Sequence, residues 1–251
     1  MKFENRFRDV DRQQEKIRAH RPLAPEELRQ LREYYRIGLT WSSNALEGNS
    51  LTETETKVVL EDGITVGGKP LRDHFEAVGH SEAFDLLYRL AGESEITEAD
   101  ILALHRLFYH RIDEENAGKY RTARIIVTGT DFAFPPPSRI KTLMRQLVAE
   151  IPALRATRHP VEFAALLHAR MVNIHPFADG NGRTARLLMN LALLQSGYPI
   201  TIIPPVIRAD YLEAVKAGNR EDFVPFINLL SCMVYESQKE YLRLLKDLGV
   251  P

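Results

Sequence analysis

Hydrophobic positions recur along most of this chain at the three- and four-residue spacing of one helix face. Ile101, Leu104 and Phe108 share a face in ADILALHRLFYHRI, and Thr97 is placed to cap that segment. Phe163, Leu166, Leu167, Met171 and Ile174 mark a buried face over 160–174, as Leu187, Leu191 and Leu194 do over 182–196. The same pattern predicts helices over 138–156, 208–218 and 222–248. Upstream, a charged helix over 3–20 is broken by Pro22 and Pro25. Pro25 then opens a helix through EELRQLREYYRIGLTWSSNALE, which ends at Gly48. Thr52 with Glu55 forms a capping box before a short helix, GITVGGKP is a loop or small hairpin, and Leu71 to Leu90 is a helix. The one clear β signal is RIIVTGTDFAF, two short runs about Thr128-Gly129-Thr130 closed by three prolines. The expected class is all-α with one small β-hairpin, with no internal repeat and no Gly/Ser-rich linker.

Composition narrows the function classes. Of 251 residues, 44% are hydrophobic and 27% charged, which excludes global disorder. Cys232 is the only cysteine, so a disulfide scaffold is excluded and a reducing cytoplasm is the expected location. The 33 Lys and Arg nearly cancel the 34 Asp and Glu, giving a net charge of −1 and no general attraction to nucleic acid or an anionic membrane. The charged start MKFENRFRDV lacks the apolar region of a signal peptide, and Leu187 to Leu194 is too short to span a bilayer. A soluble protein that binds neither nucleic acid nor membrane is expected.

The chemistry concentrates in His175-Pro176-Phe177-Ala178-Asp179-Gly180-Asn181-Gly182-Arg183-Thr184-Ala185-Arg186, a turn between two predicted helices. The glycines let backbone N–H groups approach a ligand closely, at a helix N-terminus that favours anions. Arg183 and Arg186, three apart, share the first helical turn. Two guanidinium groups beside free N–H groups suit a polyphosphate. Asp179 is placed to hold Mg²⁺ against such phosphates. His175 is the one group here that takes up a proton near neutral pH. Phe177 reads as a packing anchor. A dinucleotide fingerprint would need a preceding strand, and neither Gly-Lys-Ser/Thr nor His-Glu-x-x-His is present.

The segment HPFADGNGRTAR resembles the signature of Fic-domain proteins, His-x-Phe-x-Asp/Glu-Gly-Asn-Gly-Arg-x-x-Arg, at every specified position. The likeness extends over about residues 97–230 and takes in Gly118-Lys119-Tyr120-Arg121 and the hairpin. It implies a Fic-type helical fold and transfer of AMP from ATP to a Ser, Thr or Tyr hydroxyl of a target protein. In that reading His175 takes the hydroxyl proton and Asp179 holds Mg²⁺. Backbone at Gly180, Asn181 and Gly182 forms the anion hole, and the Asn181 side chain also faces phosphate. Arg183 binds the β-phosphate and Arg186 the γ-phosphate. The family's Doc-like kinases have Lys at the position of Gly182, which argues against phosphorylation.

A second string, Ser43-Asn44-Ala45-Leu46-Glu47-Gly48, resembles the family's inhibitory motif, Ser/Thr-x-x-x-Glu-Gly/Asn. The resemblance implies that Glu47, with Ser43 on the same helical face, occupies Arg186 and blocks productive ATP. Ile125, Ile126, Val127, Thr128, Gly129 and Thr130 resemble the flap that docks a target backbone. Tyr211 and Asn219 resemble the part that holds adenine. Residues 1–95 are expected to form an N-terminal helical region carrying the inhibitory motif, packed as one unit with a catalytic core over 96–251; a homodimer is a further expectation. Two alternatives stay open: removal of AMP from a modified target, and a nucleotide-occupied interaction module with little turnover.

Overall fold

The computed structural model describes residues 2–127 and 130–250. Its elements are α1 (Phe7–Ala19), α2 (Pro25–Ala45), α3 (Glu53–Glu61), α4 (Leu71–Leu90), α5 (Glu98–Tyr109), α6 (Pro137–Thr157), α7 (Pro160–Ile174), α8 (Asn181–Gln195), a 3₁₀ turn Pro205–Ile207, α9 (Arg208–Gly218) and α10 (Val224–Asp247). The expected start signals are in place. Thr52 Oγ1 accepts from the Glu55 N–H while Glu55 accepts from the Thr52 N–H, and Thr97 and Asp100 repeat the exchange. Pro25, Pro137 and Pro160 each open a helix, where a missing N–H costs nothing.

α7 and α8 are the central pair. α6, α9 and α10 pack on α7, while α2, α4 and α5 pack on α8, and α1 lies along α10. One core joins Val10 of α1 and Leu39 of α2 to Leu187 and Leu191 of α8 and Leu245 of α10. A smaller cluster of Leu51, Val59 and Ala77 fixes α3 to α4. α8 is buried almost all round, so its polar residues need internal partners. Asn190, which interrupts the apolar run, accepts from the Thr201 N–H and donates to the Thr201 and Arg186 carbonyls. This ties the stretch after α8 back onto the helix that carries the signature arginines.

The class is all-α, and no strand occurs among the described residues. The described part of the expected hairpin, 125–127 and 130–134, is an extended excursion without a strand ladder; Thr128 and Gly129 lie outside the described residues. An isolated two-stranded ribbon is marginal without a third strand or a packed face. Here Ile126 is 99% exposed and supplies no such face. No helix among the described residues is long and apolar enough to cross a membrane.

The contact of α4 with α5 depends on Gly79, where an added Cβ would overlap the backbone carbonyl of Phe108. Gly to Ala inside a helix normally stabilises by up to about 1 kcal/mol. Here overpacking against backbone, at about 1–3 kcal/mol, reverses the sign. Gly79→Ala is expected to lower the urea midpoint; a raised midpoint would show that α4 and α5 can separate freely at this point.

Candidate active site

The functional turn is set by the end of α7 and the start of α8. His175 caps α7 in the left-handed region, at φ 50° and ψ 61°, a conformation that a non-glycine residue adopts only under constraint. The constraint is Arg121, a side chain only 5% exposed. Its Nε donates to the His175 carbonyl at 2.8 Å, and its two terminal nitrogens donate to the carbonyls of Ala123 and Pro135. The Arg121 backbone N–H donates to the Pro176 carbonyl. One guanidinium thus holds the histidine turn and both ends of the excursion from 122 to 136. Phe134 lies against the His175 ring at 4.5 Å between centroids.

The His175 imidazole is arranged as an acceptor. Its Nδ1 lies 3.3 Å from the Val172 carbonyl, so Nδ1–H donates there and Nε2 keeps its lone pair. Burial pushes the imidazole down to about 4, and the Arg121 charge works in the same direction. It is therefore neutral at pH 7.

The loop between the helices is fixed from inside. Phe177 is fully buried and stacks on His105 of α5 at 3.7 Å. His105 Nδ1 accepts from the Gly118 N–H, so Nε2 carries the proton and donates to the Asp179 carbonyl at 3.1 Å. Asn181 is buried, with Oδ1 accepting from the Phe177 N–H and Nδ2 donating to the Phe177 carbonyl, both at 2.9 Å. Its side chain is thus committed to the loop, and what it offers a ligand is backbone. Gly180 precedes α8 at φ 76°, and no side chain caps the helix. The first N–H groups of α8 consequently have no intrahelical acceptor and form an anion cradle.

Around that cradle stand the charges. Asp179 is 41% exposed on its side chain and accepts from the Gly180 N–H and from Arg72 of α4. Burial opposes its charge, but Arg183, the Gly180 N–H and Arg72 hold its carboxyl below the usual carboxylate range. Arg183 is buried over the face of Phe108 at 4.4 Å, with a terminal nitrogen 2.8 Å from Glu76 Oε1. Arg186 is 2% exposed. Its Nε donates to Ser43 Oγ at 3.0 Å, one terminal nitrogen to Tyr211 Oη at 3.0 Å, and the other to the Ser43 carbonyl at 2.7 Å and Glu47 Oε1 at 2.8 Å. Burial works against the Glu47 charge, and the Arg186 and Arg183 guanidinium groups override it, leaving its pKa lowered. Ser43 and Glu47, 139 or more positions before Arg186, are brought onto it by α2.

Two other sequence candidates lie elsewhere on the site. Tyr211 is buried beneath Arg186, with its hydroxyl also 3.0 Å from His168 Nε2. Asn219 ends α9 and reaches across to Thr130 Oγ1 at 3.4 Å, leaving a buried Oδ1 with no hydrogen-bond partner among the described residues. Arg121, His105, Arg72 and Glu76 were not legible as site residues, because each acts on a partner at least 54 positions away or, for Glu76, on Arg183 from another helix.

Glu47, Asn49, Arg72, Glu76, Asp179 and Arg183 line a polar cavity of about 260 Å³. The Glu47 carboxylate sits directly over Gly182, where an added Cβ would overlap Oε1 and come within 3.1 Å of the Arg186 guanidinium. Glu47 Oε1 thus lies against the first turn of α8, where a side chain at 182 would have to push it aside. Gly182→Ala is expected to displace Glu47 from Arg186. By NMR titration, the Glu47 carboxyl should then rise toward its ordinary pKa; a value still held low would mean that the carboxylate accommodates the methyl group.

The comparisons agree with this geometry. The Fic/DOC family profile matches residues 95–193. A curated protein adenylyltransferase Fic of Drosophila grimshawi is 36% identical over 210 residues, covering 83% of this chain and 43% of the relative. The chain thus spans less than half the length of the curated relatives it matches. Among solved structures, a Fic domain containing signaling protein from Bacteroides thetaiotaomicron superposes with a TM-score of 0.86 at 31% identity, covering 95% of this chain and 98% of the other. Fic-1 from C. elegans gives a TM-score of 0.86 at 31% identity, over 96% of this chain and 72% of the other. With a likeness that spans nearly all of a solved Fic chain and includes the signature turn, this protein belongs to the Fic/DOC family.

Proposed function

We propose that the protein is an autoinhibited adenylyltransferase that moves AMP from ATP to a Ser, Thr or Tyr hydroxyl of a target protein. Residues 1–95 supply the brake and 96–251 the chemistry. The observation that carries the reading is the joint placement of a neutral acceptor imidazole, an uncapped helix N-terminus and two buried arginines, one of them held by Glu47. The relatives' name, protein adenylyltransferase Fic, supports AMP as the transferred group.

In this mechanism the triphosphate lies along the N-terminus of α8. Its α-phosphate is near the backbone of Gly180, Asn181 and Gly182, its β-phosphate at Arg183, and its γ-phosphate at Arg186. His175 Nε2 takes the proton of the target hydroxyl as that oxygen attacks the α-phosphorus. The bond to the β-phosphate oxygen breaks, and pyrophosphate leaves. A base with a pKa near 4 is weak, but the negative charge of bound nucleotide raises it toward the working pH. Asp179 has the donor chemistry for Mg²⁺: a partly exposed, ionised carboxylate beside the cradle. Mg²⁺ usually takes one or two carboxylates and draws its remaining oxygens from phosphate and water. Bound there, Mg²⁺ would neutralise phosphate charge. Arg121 and Phe134 keep the His175 ring oriented. Ile125, Ile126, Val127, Thr128, Gly129 and Thr130 present the target segment, with Ile126 exposed for contact.

Glu47 competes with the γ-phosphate for Arg186, so ATP that enters lies in the wrong line for attack. The test is incorporation of labelled AMP by wild type, Glu47→Gly and His175→Ala, with AMP release from a labelled target followed in parallel. Glu47→Gly should accelerate transfer by about 10²-fold, since misplacement of reactants costs that much. His175→Ala should lose about 10²–10⁴-fold while still binding ATP. EDTA should stop transfer in all three. Faster release than transfer by wild type would assign Glu47 to positioning a hydrolytic water instead.

The pH dependence follows from the direction of the His175 shift. Its imidazole is lowered, to about 4, so the free protein keeps the basic form down through pH 6.5, where an ordinary histidine would be half protonated. The acid limb of kcat/KM is therefore expected well below pH 6. A limb centred near 6.5 would mean that His175 is more exposed in solution than its buried position allows.

A further inference from the structure

The Arg186 guanidinium is held by two elements that are not equivalent. Ser43 Oγ, the Ser43 carbonyl and Glu47 all belong to α2 or its last turn. Tyr211 belongs to α9, which packs on α7 and α10. If the end of α2 shifts to withdraw Glu47, the Ser43 contacts shift with it. The hydroxyl of Tyr211 is the hydrogen-bond partner of the Arg186 side chain that such a movement leaves in place.

That hydroxyl is itself oriented. Arg186 has no lone pair, so the Tyr211 oxygen accepts from its terminal nitrogen at 3.0 Å, and the hydroxyl proton turns to His168 Nε2, also at 3.0 Å. His168 is fully buried, and burial together with the Arg186 charge keeps it neutral. Its Nδ1 has no partner among the described residues, and placing the proton there leaves one polar group unpaired, where a proton on Nε2 would leave both Nδ1 and the phenol proton unpaired. His168 stacks on Phe226 of α10 at 4.4 Å, and Tyr211 packs edge-on against the same ring. A buried chain, Phe226–His168–Tyr211–Arg186, thus runs from the central core to the arginine. The resemblance implies a part for Tyr211 in holding adenine; its ring packs against the Arg186 guanidinium, 5.6 Å from it, and its hydroxyl bonds that group.

We propose that Tyr211, backed by His168, is a positioning residue: it holds Arg186 in orientation for the γ-phosphate when Glu47 is withdrawn, and so sets the preference for ATP over ADP. This rests on the reading above that Arg186 is the γ-phosphate ligand. Arg186 has five donors in a planar fork, and a fork free to rotate would lose its alignment to a terminal phosphate. ADP lacks that phosphate and is indifferent to the fork.

The experiment measures ATP and ADP affinity, each with Mg²⁺, by isothermal calorimetry. It uses Glu47→Gly alone and Glu47→Gly combined with Tyr211→Phe or with His168→Phe. In Glu47→Gly, ATP should bind more tightly than ADP. Adding Tyr211→Phe should cut that preference by roughly tenfold, as expected for losing one hydrogen bond to a charged group, with ADP affinity unchanged. Adding His168→Phe, which keeps the stack on Phe226 but removes the acceptor, should cut it less and in the same direction. ADP affinity on the same preparation reports whether the site has folded, so an equal loss of both nucleotides assigns Tyr211 a merely structural role and overturns the proposal. An unchanged preference in the Tyr211→Phe protein overturns it too, and an unchanged preference in the His168→Phe protein removes His168. If Glu47→Gly alone shows no preference for ATP, the assignment of Arg186 to the γ-phosphate fails, and this proposal fails with it.

Discussion

A guanidinium buried to 2% exposure needs anionic or strongly polar company, and the arrangement around Arg186 is organised by that need. A cation removed from water is costly unless its donors are engaged. Here α2 brings a serine and a carboxylate, and α9 a tyrosine hydroxyl. The carboxylate is the replaceable member. Glu47 remains 36% exposed, just past the end of α2, while Tyr211 is buried on α9. In the proposed mechanism a terminal phosphate exchanges for Glu47, so the arginine stays compensated. In the proposed function, inhibition and substrate recognition are two ways of meeting this one electrostatic requirement.

The rest of the site is rigid by comparison. His175 sits in a backbone conformation that costs on the order of 1–3 kcal/mol in isolation. It persists because Arg121 clamps its carbonyl and the Pro176 carbonyl, while Phe177, His105 and Asn181 fasten the loop that follows. These contacts fix the His175 turn and the start of α8 before any ligand arrives, which is the condition for electrostatic preorganisation.

Local sequence signals placed the helices well, because their causes are local. Pro160 opens α7, the glycine at 180 precedes α8, and Thr52 and Thr97 cap α3 and α5 as their spacing implies. The signature turn was legible for the same reason, since its base, carboxylate and arginines lie within twelve residues. What was not legible depends on partners distant in sequence. Arg121 falls in a string that matches the family, but its task, holding the His175 carbonyl, shows only when α7 brings His175 to it. His105 looks like a lone histidine on an apolar face, and its tautomer is set by Gly118 and Asp179. The resemblance implies an Asn181 side chain that faces phosphate, but its amide oxygen and nitrogen each bond the Phe177 backbone. A turn sequence flanked by β-branched residues says nothing about whether a third strand is there to support it, and the described residues on either side of 128–129 form no strand.

The account's central claim is that Glu47 and the terminal phosphate of ATP contend for the same guanidinium. The direct measurement is a double-mutant cycle on the rate of AMP transfer, with wild type, Glu47→Gly, Arg186→Ala and the double variant assayed at saturating ATP. If the two groups act through one another, removing Glu47 accelerates transfer when Arg186 is present and does nothing when it is absent. An equal acceleration in both backgrounds would contradict the claim, because Glu47 would then restrain the reaction by a route that does not pass through Arg186.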